Sequence, residues 1–110
     1  MRYAIPTVDG KLALHFGHCR QFTLIDVIDG EVASQKEVVP PPHEPGVLPD
    51  WLVSLRVETV IAGGMGMRAQ QLFRAKGIEV LVGAPDQTPA QLVTQHLAGT
   101  LATGENICDH

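Results

Sequence analysis

The sequence predicts an α/β fold in which five strands form one mixed sheet and three helices pack against it. An Asp29-Gly30 pair splits two β-forming runs, 21–28 and 31–39, which is the strongest short hairpin signal available. Two short apolar runs, 58–62 and 78–82, alternate with segments of helical spacing. The resulting order, three strands and then helix, strand, helix, strand, helix, joins an antiparallel half to a parallel half in a single sheet.

The first strand is read over residues 2–8, Arg-Tyr-Ala-Ile-Pro-Thr-Val, ending at the turn Asp9-Gly10. Pro6 within it calls for a position where one ladder donor is not needed. Strands 21–28 and 31–39 form the antiparallel hairpin. The run Pro40-Pro41-Pro42-His43-Glu44-Pro45-Gly46 lacks donors and has its φ angles fixed, so it is a stiff loop that holds His43 in place. Leu48, Trp51, Leu52 and Leu55 then fall on one helix face, with Pro49 acceptable in the first turn. The run Glu58 to Ala62 reads as a strand buried on both faces and stops at Gly63-Gly64-Met65-Gly66. Ala69, Leu72, Phe73 and Lys76 mark a second helix with Gly77 as its cap. After the strand 78–82, Thr88-Pro89 opens a third helix with Leu92, Val93, His96 and Leu97 on one face, and Leu101 to His110 is a tail.

With 110 residues, 45% of them hydrophobic, the chain reads as a single domain spanning 1–110. A net charge of −4 with eight Lys and Arg leaves no basic stripe, which argues against nucleic acid as a partner. No apolar run approaches the roughly 20 residues of a membrane-spanning helix, and the start lacks a signal peptide's apolar stretch, so a cytoplasmic location is expected. Two cysteines make a thin disulfide framework; metal binding, redox chemistry or packing remain for them.

Nearly all the soft and borderline donors lie in three patches: His15, His18 and Cys19; His43 beside Glu44; and Cys108, Asp109 and His110. Imidazole nitrogen and thiolate sulfur suit zinc, copper and iron. None of the spacings is that of a zinc finger, so the argument rests on clustering, and one shared site requires the tail to close onto the first loop. His96 fits an apolar helix face and is assigned to packing. The Gly63-Gly64-Met65-Gly66 turn precedes a helix, and its amides and the helix dipole suit an anion such as phosphate or an anionic metal-sulfur cluster. The competing reading is a tight turn that needs glycine for positive φ. Met65 and Met67 offer thioethers toward a soft metal or, more simply, apolar packing. No nucleophile elbow and no carboxylate pair stands out.

Several short motifs together resemble the dinitrogenase iron-molybdenum cofactor biosynthesis family, the NifX-like nitrogenase accessory domain. They are Tyr3-Ala4-Ile5-Pro6, His15-Phe16-Gly17, Asp29-Gly30, Val60-Ile61-Ala62-Gly63-Gly64-Met65-Gly66 and Gly77-Ile78-Glu79-Val80. The resemblance implies a ribonuclease-H-like three-layer fold without nuclease activity. It also implies a role in holding or carrying iron-molybdenum or related metal-sulfur clusters, in company with a protein that donates or accepts the cluster. By carry-over, His15 and the turn at Gly63, Gly64 and Gly66 face that ligand. Many relatives follow His-Phe-Gly with Arg; here His18-Cys19 follows, which admits a directly ligated zinc or iron ion.

Three functions stand side by side at this point. The first is a non-enzymatic carrier of a metal or cluster. The second is a metal-dependent enzyme with Glu44 or Asp109 as acid or base. The third is a regulatory module whose glycine turn binds a nucleotide or a partner.

Overall fold

A computed structural model describes residues 1–13, 20–41 and 46–101. The strands are β1 (Arg2–Val8), β2 (Lys11–Leu12), β3 (Gln21–Ile28), β4 (Glu31–Val38), β5 (Thr59–Ile61) and β6 (Glu79–Leu81); the helices are α1 (Val47–Ser54), α2 (Met67–Ala75) and α3 (Pro89–Ala98). The sheet runs β4-β3-β1-β5-β6, with β2 paired to β1. Pairs β4/β3 and β3/β1 are antiparallel, while β1/β5 and β5/β6 are parallel. The antiparallel and parallel halves therefore meet at β1.

Both Asp-Gly pairs are two-residue hairpin turns. Asp29 and Gly30 have φ of 54° and 77°, and Asp9 and Gly10 have 54° and 81°, the double positive φ that matches strand twist. The expected turn at Asp9-Gly10 thus opens a hairpin whose second arm, β2, is only two residues long and leaves no periodicity to read. Pro6 sits in a central strand, yet its missing donor is harmless. It faces the same side as the Arg2 carbonyl, which accepts from Glu58 N–H, but β5 pairs with β1 only at Tyr3 and Ala4. Beyond that point the Pro6 carbonyl accepts from Ala13 N–H at 2.9 Å, a bond that uses no proline donor.

Alternation along the strands makes a core on each face. One core combines Ala4, Phe22, Leu24, Val60 and Val80 with Leu48 and Leu52 of α1 and Phe73 of α2. The other combines Tyr3, Ile5, Ile25, Val27 and Ile61 with Leu92 and Val93 of α3. The result is three layers, helix–sheet–helix. On α3, the expected apolar face stops at Val93: Leu97 is exposed, and His96 reaches across to β1. β4 is exposed along almost its whole length. A register shift opposite Asp26/Val27, together with Lys36 and Glu37, blunts this free edge against further pairing. Thr88 caps α3 in a reciprocal box with Gln91, and Gly77, at φ 80°, ends α2 as expected.

Candidate functional site

The site of interest is the end of the sheet where the parallel strands finish. After β5 the chain passes through Ala62–Gly66 into α2, and this turn is tied to the segment that follows β6. Ala62 N–H donates to Leu81 O (2.8 Å), Gly83 N–H to Gly63 O (2.6 Å) and Ala84 N–H to Ala62 O (3.2 Å). Gly63 and Gly64 are buried and Gly66 is exposed. The Met65 side chain is 0% exposed and belongs to the core with Leu52 and Phe73, so the apolar reading of that thioether holds, while Met67 is 47% exposed.

The competing reading, that these glycines supply positive φ, does not match the backbone. Gly63, Gly64 and Gly66 are absent from the positive-φ glycines, which among the described residues are Gly10, Gly30, Gly46, Gly77, Gly83 and Gly99. Gly66 has φ −61° and ψ 152°, and a Cβ built there would meet nothing within 4 Å. Neither conformation nor packing calls for glycine at 66; its effect is to leave the main chain open to approach from outside.

The start of α2 is equally open. Its first turn carries no acidic residue, and Gly66 provides no side-chain cap. The amides of Gly66, Met67, Arg68 and Ala69 have no acceptor among the described residues; the first bond is Gln70 N–H to Gly66 O at 3.1 Å. Outward-pointing amides at the positive end of a helix favour an anion.

Gln70 is a residue that sequence reasoning missed. It is polar but 4% exposed, and its Nε2 donates to the Met65 carbonyl at 2.8 Å. Helical spacing pointed to Ala69, Leu72, Phe73 and Lys76 as the inner face, yet Lys76 is exposed and pairs with Asp50 at 2.9 Å. The available signal was a long amide side chain one turn beyond a glycine turn, within reach of its carbonyls.

The expected metal ligands His15, His18, Cys19, His43, Cys108 and His110, with Glu44 and Asp109, lie outside the described residues. The points from which their segments depart are described. Ala13 N–H donates to Pro6 O (2.9 Å) and Arg20 N–H to Thr7 O (3.0 Å), so segment 14–19 leaves and rejoins the sheet at the end of β1. Val38 pairs with Phe22, and Phe22 with Pro6. Segment 42–45 accordingly spans from the same end of β4 to the start of α1. Leu101, the last described residue, lines a small cavity with Leu81, His96 and Gly99, and Leu81 is two residues from Gly83, which bonds Gly63. Among the described residues no group of three or more His, Cys, Asp or Glu could hold a metal ion.

His96 makes more than a packing contact. Its Nδ1 lies 2.6 Å from the Tyr3 hydroxyl, the two rings meet edge to face at 5.5 Å, and Nε2 is 4.0 Å from Glu79. Burial pushes the Tyr3 hydroxyl pKa above its ordinary value, and the nearby charges of Glu79 and Glu58 add to the rise. This cluster and an open cavity of about 380 Å³ between α3 and the Asp29-Gly30 hairpin both lie at the opposite end from the glycine turn. The lining of that cavity (Gly30, Glu31, Val32, Thr94, Leu97, Ala98) brings no convergent set of polar groups. No helix among the described residues is long and apolar enough to cross a membrane.

Residues 1–99 match the family described as dinitrogenase iron-molybdenum cofactor. The crystal structure of PH0822 is similar over 94% of each chain, with a TM-score of 0.85 and 29% identity. The apo form of the orange protein from Desulfovibrio gigas shares the fold over 96% of this chain and 93% of its own, with a TM-score of 0.75 at 23% identity. An uncharacterized protein of Methanocaldococcus jannaschii, MJ0580, is 26% identical over an alignment of 86 residues that covers 73% of this chain and 72% of that one.

Proposed function

From the premise that this chain belongs to the dinitrogenase iron-molybdenum cofactor family, we propose that it is a small non-enzymatic carrier that holds a metal ion or metal-sulfur cluster at the glycine-turn end of its sheet. The observation that carries the reading is the state of that turn: an exposed Gly66 with no conformational need for glycine, opening onto amides of α2 that have no acceptor among the described residues. Such a surface suits a sulfide- or oxide-bearing anion, whose charge the amides and helix end would partly neutralise. Gly63, Gly64, Met65 and Gly66 would contribute main chain to the cradle. His15, His18, Cys19, His43, Cys108 and His110 would contribute imidazole and thiolate donors.

Support for a common site comes from the anchor points. Segments 14–19 and 42–45 both depart from the end of the sheet that carries the turn. Cys108 is seven residues beyond Leu101, a reach of at most roughly 23–25 Å, comparable with the length of β1. We further read the strand order, with β4-β3-β1 antiparallel and β5 and β6 added parallel, as ribonuclease-H-like, and the chain as one domain acting beside a cluster-donating or cluster-accepting protein.

The deciding experiment is elemental analysis of untagged protein purified without chelators, repeated on the Cys19→Ala/His110→Ala double variant. Near-stoichiometric metal in the parent, lost in the variant and retained in His96→Ala, is the expected result. Absence of metal from the parent even after reconstitution with zinc, iron or thiomolybdate would refute the reading.

A further inference from the structure

The chain carries a net charge of −4, yet from Gly63 to Ile78 it holds three cations, Arg68, Arg74 and Lys76, and no Asp or Glu. The fold sorts those three. Lys76 turns to α1, where its Nζ meets Asp50, and so ties the end of α2 to its neighbour. Arg68 and Arg74 are exposed and have no ion-pair partner among the described residues. Met67, 47% exposed, lies in one row with the exposed Gln71 and Ala75 at four-residue spacing. By helical spacing that row is flanked by Arg68 on one side and Arg74 on the other.

Nothing in the helix itself calls for this pattern. A solvated helix face ordinarily mixes signs and gains from opposite charges three or four residues apart; α2 contains no acidic residue with which to form such a pair. Arg68 stands in the first turn, where the dipole disfavours a cation, and no acidic residue there offsets it. A local arrangement that works against the element carrying it points to a use outside that element. The inner side of α2 is fixed, with Phe73 and Gln70 buried and Gln70 Nε2 donating to the Met65 carbonyl at 2.8 Å. The outward face is therefore presented on a rigid support.

We propose that the outward face of α2, the row Met67, Gln71 and Ala75 flanked by Arg68 and Arg74, is a docking surface for an acidic segment of a partner protein. Its chemistry is that of a small interface: an exposed thioether as apolar anchor and two guanidinium groups able to pair with carboxylates in a forked geometry. Nucleic acid is a poorer occupant, because two free cations neutralise few phosphates and the net negative charge of the chain repels the rest. A lipid surface needs more apolar area than one methionine supplies. The inference goes beyond the carrier reading and does not depend on it, since the face is defined by charge and exposure along the whole helix and places no metal.

The probe is a synthetic helical peptide about 15 residues long, built of Glu, Leu and Ala with Glu and Leu along one side, together with its Lys-for-Glu counterpart. Each is titrated into the isotope-labelled full chain at low and high salt while backbone amide shifts are followed. The acidic peptide should shift the amides of Met67, Arg68, Gln71, Arg74 and Ala75, and salt should weaken its binding. Arg68→Ala/Arg74→Ala should weaken it about tenfold. Lys11→Ala/Arg56→Ala, which removes two exposed cations elsewhere, should leave it unchanged. Arg68→Glu/Arg74→Glu should exchange the preference, releasing the acidic peptide and taking the basic one, a rescue that loss of folding cannot imitate. In thermal melts Arg68→Glu alone should hold or raise Tm, because it removes a cation from the positive end of the helix.

Equal loss from Lys11→Ala/Arg56→Ala would mean diffuse attraction and overturn the proposal. Absence of binding at millimolar peptide, shifts centred elsewhere, or tighter binding of a single-stranded oligonucleotide to the same face would overturn it as well. A fall in Tm for Arg68→Glu would assign that residue to the helix itself, with the same consequence. Metal content is decided separately by the elemental analysis, so either reading can fail while the other stands.

Discussion

Replacing Arg2 by Met removes a three-way tie between β1, β3 and the end of α1. Arg2 Nε lies 2.6 Å from Asp26 Oδ1 and Nη2 3.2 Å from Oδ2, a forked pair, while Nη1 donates to the Leu55 carbonyl at 2.7 Å. The side chains of the pair are 27% and 32% exposed, so water screens them and the ion pair contributes at most about 1 kcal/mol. The charged bond to Leu55 O contributes a further ~1 kcal/mol after similar screening. A loss of about 1–2 kcal/mol corresponds to a fall in Tm of roughly 5–10 °C for a chain of this size.

The pH dependence separates the two parts. The Arg2 guanidinium holds the Asp26 carboxyl below its ordinary pKa, with the Ser34 hydroxyl assisting and burial opposing. A lowered folded-state pKa means that the unfolded chain takes up the proton first, so the pair's contribution is complete above the unfolded value near 3.9 and disappears as pH falls through the folded one. Thermal melts followed by circular dichroism from pH 7 to pH 3 should show the gap between wild type and Arg2→Met hold steady to about pH 5 and then narrow. A gap that stays constant to the lowest pH would assign the effect to the Leu55 bond and refute the ion-pair account. No gap at pH 7 would refute both.

Two further changes have definite expected outcomes. Thr88→Ala removes one arm of the capping box, in which Gln91 N–H reaches Thr88 Oγ1 at 3.4 Å and Thr88 N–H reaches Gln91 Oε1 at 3.1 Å; it should cost about 1 kcal/mol or somewhat less, with Thr88→Ser restoring most of it in the same melt. Tyr3→Phe should cost ~1 kcal/mol through loss of the bond to His96. Tyr3 is the only tyrosine in the chain, so tyrosinate absorbance in an alkaline titration reports it alone. The unfolded chain should lose that proton near pH 10 and the folded chain only above it, so wild-type stability falls as pH rises past about 10 while Tyr3→Phe lacks that decline.

Much of this protein was legible locally. Asp29-Gly30 named its own turn because only that backbone geometry suits two adjacent strands. The apolar run around Val60 declared a strand covered on both faces and that around Val80 a second strand, and Thr88-Pro89 and Gly77 marked helix ends through bonds made within a few residues. Family membership was likewise carried by short motifs, each of which is a local arrangement of chain. The histidine and cysteine patches raised an expectation of metal donors, and they lie outside the described residues.

Tertiary structure decided what depends on neighbours distant in sequence. β2 exists because Lys11 and Leu12 meet the end of β1, an advantage that two residues cannot signal alone. Pro6 called for a place without a ladder donor, and only the assembled sheet supplied it, because the β5 ladder stops short of that residue. His96 finds Tyr3 across 93 positions of chain, so its hydrogen bond is invisible to helical spacing. At the site, the glycines suggested positive φ, and the fold gave Gly66 an ordinary backbone with nothing beside it. The buried amide of Gln70 beneath that turn reflects the same division: composition sets which groups can donate, and only packing sets which way a donor points.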